Sequence, residues 1–274
     1  MSGTDGVRVP SVKLNSSGSI PVLGLGTSRG TREAVEYAID IGYRHFDSAY
    51  ACRTEAEVEA AIEKKIQEGV VKREDLFVTT KLFNTFHRPE LVLRAIQMSL
   101  AALKLGYVDL YLMHKPIAFK YIDDNPTIPK DANGNYLYND VDTADTWKVE
   151  SHAYLMQPDL FDYCKTNGIV LVAFASVGSP GRRNKTKDEA VLSEDPIVVK
   201  IAKRLGKRPS QIERGRIPIP RSTNPAHIKE NIEVCDFDLT PADLAELGSL
   251  DRQLRFFGMA EHKNSPNFPY NDGK

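Results

Sequence analysis

"DLFVTTKLFNTFHRPELVLRAIQMSLAALKLGYVDLYLMH" runs from Asp75 to His114. Its opening, "DLFVTTKL", is a short run of apolar and β-branched residues and reads as a strand. "RPELVLRAIQMSLAALKLG" follows with helical spacing, and Pro89 suits the first turn of a helix. "VDLYLMH" reads as a second strand. Strand, helix and strand in this order make a right-handed crossover between parallel strands. Lys81 stands at the end of the first strand and His114 at the end of the second.

The same rhythm extends upstream. "VPSVKL" and "IPVLGLG" flank the turn-rich "NSSGS", which predicts a hairpin over residues 9–26. "TREAVEYAIDIG" places Ala34, Val35, Ala38 and Ile39 on one helical face and stops at Gly42. "YRHFDSA" is a short strand ending near Asp47. "TEAEVEAAIEKKI" begins with Thr54 and carries Glu57 three residues later, the pattern of a capping box.

Downstream the pattern is less regular. "IDDNPTIPKDANGNYLYNDVD" reads as a long loop. It leads into "TADTW", a helix start, and at once into the strand-like "KVESHAYL", so a helix begins with no room to finish. Helix "QPDLFDYCKTNG", strand "IVLVAFAS", helix "DPIVVKIAKRLG", strand "RIPIPRS" and helices "NPAHIKENIEV" and "TPADLAELGSL" follow. Seven parallel-type strands result, at Pro21–Thr27, Tyr43–Ala49, Leu76–Leu82, Val108–His114, Lys148–Tyr154, Ile169–Ser176 and Arg216–Ser222. A closed barrel needs eight. No low-complexity linker divides the chain, so residues 1–274 are expected to form one domain.

Composition narrows the function classes. The chain is 41% hydrophobic and 27% charged with a net charge of -1, which points to no nucleic-acid or anionic-membrane surface. The three cysteines, Cys52, Cys164 and Cys235, are widely spaced, which argues against a disulfide framework or a metal site and for a reducing compartment. No apolar run reaches membrane-spanning length. A cytoplasmic monomer is expected.

The glycines of "GLGTSRG" (Gly24–Gly30), with Asp47 about 20 residues on, approach the dinucleotide fingerprint of an open sheet. Their spacing is one residue off, and glycines here also serve a chain turning out of a strand. The strand ends favour a barrel instead. Asp47, Lys81 and His114 end consecutive strands, and a barrel gathers all such ends at one mouth. An Asp–Lys pair beside a histidine can tune a neighbouring acid and orient a carbonyl. Each residue alone has a plain structural use; three in series point to chemistry.

"IDIGYRHFDSA", "LFVTTKLFNTFHRPELV", "LKLGYVDLYLMHKPIAFK", "GIVLVAFASVGSP", "IPIPRSTNPAHIKENIEV" and "SPNFPY" together resemble the aldo-keto reductases over nearly the whole chain. The resemblance implies a TIM-type (β/α)8 barrel plugged by an N-terminal hairpin. It implies NADPH-dependent reduction of aldehydes and ketones. Asp47, Lys81 and His114 match three members of that family's catalytic tetrad. Thr27 matches a residue beside the nicotinamide ribose, and Phe174 stands where an aromatic ring stacks on the nicotinamide. Ser179 falls in the loop over the pyrophosphate. Arg221 and Ser222 match the grip on the 2′-phosphate of NADP, with His227 where an arginine is usual. Glu230 and Asn231 match adenine contacts.

The departures cluster at function. Cys52 occupies the place of the catalytic tyrosine. Ser28 and Lys115 replace two tryptophans of the substrate pocket. "DTWKVESHAYL" joins the fourth helix to the sixth strand, so the fifth strand and its adjoining helices are absent and the barrel is expected to be incomplete. Tyr50, two residues before Cys52, is the candidate substitute acid if this segment is extended, since residues i and i+2 then share a side. The alternative is an impaired relative or a splice product with a non-enzymatic role or none.

Overall fold

A computed structural model of the chain describes residues 9–14, 18–27, 30–125, 127–140, 149–150, 152–166, 172–176, 178–179, 185–186, 189–212, 217–256 and 260–265. Strands β1 (Ser11–Lys13), β2 (Ser19–Pro21) and β3 (Leu25–Gly26) are followed by helix α1 (Arg32–Asp40), β4 (His45–Asp47) and α2 (Glu55–Gln67). Then come β5 (Phe77–Leu82), α3 (Pro89–Leu103), β6 (Leu110–Met113), β7 (Val149–Glu150), α4 (Pro158–Thr166) and β8 (Val172–Phe174). Helices α5 (Pro196–Leu205) and α6 (Pro209–Ile212), β9 (Ile217–Pro218), α7 (Pro225–Ile232) and α8 (Pro241–Gly248) complete the order. Strands β3 to β9 each fall inside one of the seven expected stretches. The expected helix start at "TADTW" lies outside the described residues.

The chain packs as two compact units interleaved in sequence. The first is Met1–Gly26, Tyr37–His45 and Val149–Phe256; the second is Thr27–Glu36, Phe46–Lys148 and Phe257–Lys274.

In the first unit β1 and β2 form the expected antiparallel hairpin, with Val12 opposite Ile20. Pro21 belongs to this hairpin, because Val22 N–H continues it by donating to Pro10 O at 2.9 Å. The first parallel strand therefore begins later than its apolar run suggests. Strands β7, β8 and β9 pair in parallel, and Gly24 and Gly26 N–H donate to Pro218 O and Pro220 O at 3.1 and 3.2 Å beside them. A Cβ on Gly24 would stand 2.6 Å from His45 Nδ1, and one on Gly26 would stand 2.8 Å from Ile219 O. Close strand packing thus accounts for these two glycines.

Helix ends in this unit behave as local rules dictate. Asp195 caps α5 by accepting from Ile197 N–H at 3.0 Å, with Pro196 in the first turn and Gly206 left-handed at the end. The Asp195 carboxylate also accepts the buried Tyr154 hydroxyl at 2.9 Å, which fixes the turn after β7 to the start of α5. Thr240 and Asp243 cap α8 reciprocally. Helix α6 has four residues.

In the second unit β5 is buried throughout and pairs in parallel with β6, Lys81 opposite Leu112. Helices α2 and α3 pack together, with Lys104 Nζ 3.0 Å from Glu59. The expected capping box at α2 does not form. Thr54 has a helical backbone and no capping bond, and its hydroxyl lies among those of Ser48 and Thr27. Glu57 instead accepts Thr31 N–H at 2.5 Å. Tertiary partners have taken both halves of the local motif. Among its described residues the long loop carries no regular element beyond bridges Phe119↔Tyr138 and Lys130↔Tyr136. His262, from the aromatic tail, is buried against Phe119 and Tyr136 at ring distances of 5.4 and 4.7 Å.

His87, in the turn between β5 and α3, is buried with neither ring nitrogen hydrogen-bonded. Burial disfavours its charged form and lowers its pKa from 6.5 to about 4. As pH falls below 6.5 the unfolded chain takes up this proton first, so stability drops down to about pH 4 and then levels. Unfolding free energies from urea titrations at pH 7 and pH 4 are expected to differ by an amount that His87→Phe reduces by about 3 kcal/mol.

Candidate active site

The core of the site is an ion pair at two strand ends. Asp47 closes β4 and Lys81 is the penultimate residue of β5. Lys81 is 2% exposed, and its Nζ donates to Asp47 Oδ1 at 2.5 Å and to Ser48 O. Two of its three protons are therefore used, and one remains for a third acceptor. Ser48 N–H donates to Thr79 O at 2.8 Å, which holds the end of β4 against β5. His114 lies just past β6, and its N–H donates to Leu82 O at 2.9 Å. Strand alternation puts His114 on the face of Leu112, the partner of Lys81. Asp47, Lys81 and His114 thus come from three neighbouring segments of one unit.

Thr27 joins them. Its N–H and its hydroxyl both donate to Asp47 O, at 3.0 and 3.1 Å. Its hydroxyl oxygen also lies 3.2 Å from Thr54 Oγ1, which is 3.1 Å from Ser48 Oγ. This buried chain of hydroxyls braces the strand end behind Asp47. No sequence signal marked it, because Thr54 read as a helix cap.

Tyr50 is placed differently from expectation. Residues Tyr50–Cys52 form a 3₁₀ turn, with Cys52 N–H donating to Ala49 O at 3.0 Å. In such a turn successive residues step about 120° around the axis, so residues i and i+2 do not share a side. The Tyr50 hydroxyl donates to Asp124 O, and its ring meets Phe86 edge-on at 5.9 Å. Burial, with the Asp124 charge adding, raises the phenol above the usual tyrosine range. Asp124 is itself held by the Tyr121 hydroxyl at 2.7 Å and by Arg94, and Arg53 donates to Asn125 Oδ1 at 2.6 Å. Tyr50 thus anchors the loop after β6 to the turn. Cys52 remains a free, half-buried thiol.

The remaining predicted residues lie in the first unit. Phe174 ends β8, with its side chain outside the described residues, and Ser179 has a left-handed φ of 43°. Arg221 is exposed, bridges Gly26 through its backbone, and pairs with no carboxylate among the described residues. Ser222 Oγ accepts Asn224 N–H at 3.1 Å, and Asn224 Oδ1 accepts Ala226 N–H at 2.9 Å to cap α7. His227 is exposed in the first turn of α7, and Asn231 is half-buried. Glu230 is engaged by Arg208 at 3.0 Å. An unpaired guanidinium, a hydroxyl and a helix start suit a phosphate. Among the described residues no cluster of three or more His, Cys, Asp or Glu could hold a metal, and no helix is long and apolar enough to cross a membrane.

Known proteins match this sequence along most of the chain. The description "Aldo/keto reductase family" matches residues 27–128 and 141–252. Aldo-keto reductase family 1 member C18 of Rattus norvegicus is 37% identical over 322 aligned residues, spanning 97% of this chain and 98% of the relative. Member C15 of Rattus norvegicus is 38% identical over 315, spanning 95% and 97%. The 3-alpha-hydroxysteroid dehydrogenase of Rattus norvegicus is 36% identical over 318, spanning 95% and 98%. Each alignment is longer than the 274-residue chain, so the relatives carry residues with no counterpart here. The chain belongs to the aldo/keto reductase family.

Proposed function

We propose that the chain binds NADP(H) and reduces small aldehydes and ketones to alcohols, at a rate limited by Cys52. The observation that carries this reading is the buried Lys81–Asp47 pair on the face that His114 shares. Asp47 fixes the Lys81 nitrogen in a buried ion pair. Lys81 directs its remaining proton toward a donor, and His114 orients the carbonyl oxygen by a hydrogen bond. NADPH, when bound, supplies the hydride. By the family resemblance, Arg221 and Ser222 would hold its 2′-phosphate, Glu230 and Asn231 its adenine, and Thr27 its nicotinamide ribose. The charged, unpaired Arg221 supports NADP over NAD.

The donor is the weak link. A thiol is a poor hydrogen-bond donor and reaches less far than a phenol. Tyr50, bonded to Asp124 O, does not compensate. This placement favours an impaired enzyme over a fully active one. The aligned lengths support a barrel of one domain that lacks a β/α segment, which the sequence pattern places at Trp147–Lys148.

Absorbance at 340 nm follows NADPH oxidation when aldehydes are added. Slow oxidation that depends on both chain and carbonyl is expected. Oxidation that ignores the carbonyl would remove the reductase reading and leave cofactor binding in place.

A further inference from the structure

Thr54 stands where a cap for α2 belongs, is fully buried, and makes no capping bond. A hydroxyl at this position ordinarily caps the helix, so its diversion needs another use. The backbone around it is held firmly. Val58 N–H donates to Thr54 O at 2.9 Å, and Glu55 accepts the hydroxyl of Thr80, the neighbour of Lys81 in β5, at 2.6 Å. The Thr54 hydroxyl oxygen lies 3.2 Å from Thr27 Oγ1 and 3.1 Å from Ser48 Oγ. Proton counting gives these bonds a direction. Each hydroxyl has one proton, and a carbonyl only accepts. Thr27 gives its proton to Asp47 O at 3.1 Å, so Thr54 donates to Thr27 and Ser48 donates to Thr54. The chain starts on the Ser48 side chain and ends on the Asp47 carbonyl, so it closes a ring around the Asp47–Ser48 peptide. The same two residues supply both acceptors of Lys81, Asp47 Oδ1 at 2.5 Å and Ser48 O.

We infer that Thr54 is a positioning residue for Lys81: it closes the hydroxyl ring that fixes both lysine acceptors, and so sets the direction of the third ammonium proton. The consequence for turnover rests on the reductase reading of the same site. An ammonium nitrogen is tetrahedral, so holding two N–H directions sets the third. Hydrogen bonds in an oriented chain strengthen one another, so removing the central member loosens both ends. Thr54 acts through Ser48 and Thr27, because the bonds of Lys81 go to Asp47 and Ser48. A misdirected proton slows the chemical step and leaves ground-state binding in place.

The NMR signal of the Lys81 ammonium in the full chain, identified by its loss in Lys81→Arg, tests this through its exchange with water. Thr54→Val is expected to speed that exchange about tenfold, whereas Thr54→Ser keeps it within about twofold of the native rate. In the Cys52→Tyr background, Thr54→Val should lower kcat about tenfold with aldehyde KM and NADPH Kd within about twofold, and Thr54→Ser should retain turnover. A merely structural role would lower the urea midpoint without this split between kcat and KM. Native Lys81 exchange in Thr54→Val, an equal loss in Thr54→Ser, or an unchanged kcat in an active Cys52→Tyr chain would overturn the inference. So would a native chain with no slowly exchanging Lys81 ammonium. Should Thr54→Val lose its cooperative fold, Ser48→Ala removes the first donor of the chain and gives the same comparison. A Cys52→Tyr chain without turnover removes the reductase reading alone, because ammonium exchange still decides the role of Thr54.

Discussion

Cys52→Tyr is expected to raise kcat for NADPH-dependent aldehyde reduction by about 10²–10⁴-fold, the usual worth of a positioned general acid. The surroundings for that acid are already built. Lys81 has one uncommitted proton, Asp47 fixes its nitrogen, and Thr27 and Ser48 brace the strand end. On the proposed reading, position 52 lacks a phenol, which carries its proton at neutral pH and reaches further than a thiol. Tyr50→Phe in the same variant provides the control. It should cost about 1 kcal/mol of stability through the lost bond to Asp124 and leave the new turnover in place. If Cys52→Tyr gains nothing while Tyr50→Phe abolishes turnover, Tyr50 is the donor and its bond to Asp124 is not the working arrangement.

Asp47→Ala is expected to destabilise the fold by about 3–5 kcal/mol, because it leaves the Lys81 ammonium buried without its counter-charge. The cost should appear as a lower urea midpoint at pH 7. Adding Lys81→Met should recover part of it, since an apolar side chain of similar length removes the uncompensated charge. The two changes are in contact, so their effects should be far from additive. A loss within about 0.5 kcal/mol for Asp47→Ala would mean that the pair is solvated rather than buried.

The strands were legible because apolar runs alternate with helical periodicity, and the Asp47–Lys81 pair because polar residues close apolar strands. Local motifs failed where tertiary partners intervened. Thr54 and Glu57 look like a capping box, yet their side chains serve Ser48, Thr27 and Thr31. Tyr50 and Cys52 look like alternating strand residues, yet the chain turns there into a 3₁₀ helix. The glycines of "GLG" resemble a phosphate loop, whereas two of them admit His45 and the Ile219 carbonyl. The aromatic cluster was out of reach, because Tyr138 and His262 are 124 residues apart and no periodicity links them.

The central proposal is that an NADP(H)-binding reductase site persists around an absent proton donor. Titration of NADPH and NADH, followed by protein fluorescence, in the native chain and in Arg221→Ala tests this most directly. Saturable binding with NADPH favoured is expected, and Arg221→Ala should weaken NADPH about tenfold and leave NADH nearly unchanged. A cooperatively folded chain that binds neither nucleotide, or binds both equally with and without Arg221, would contradict it.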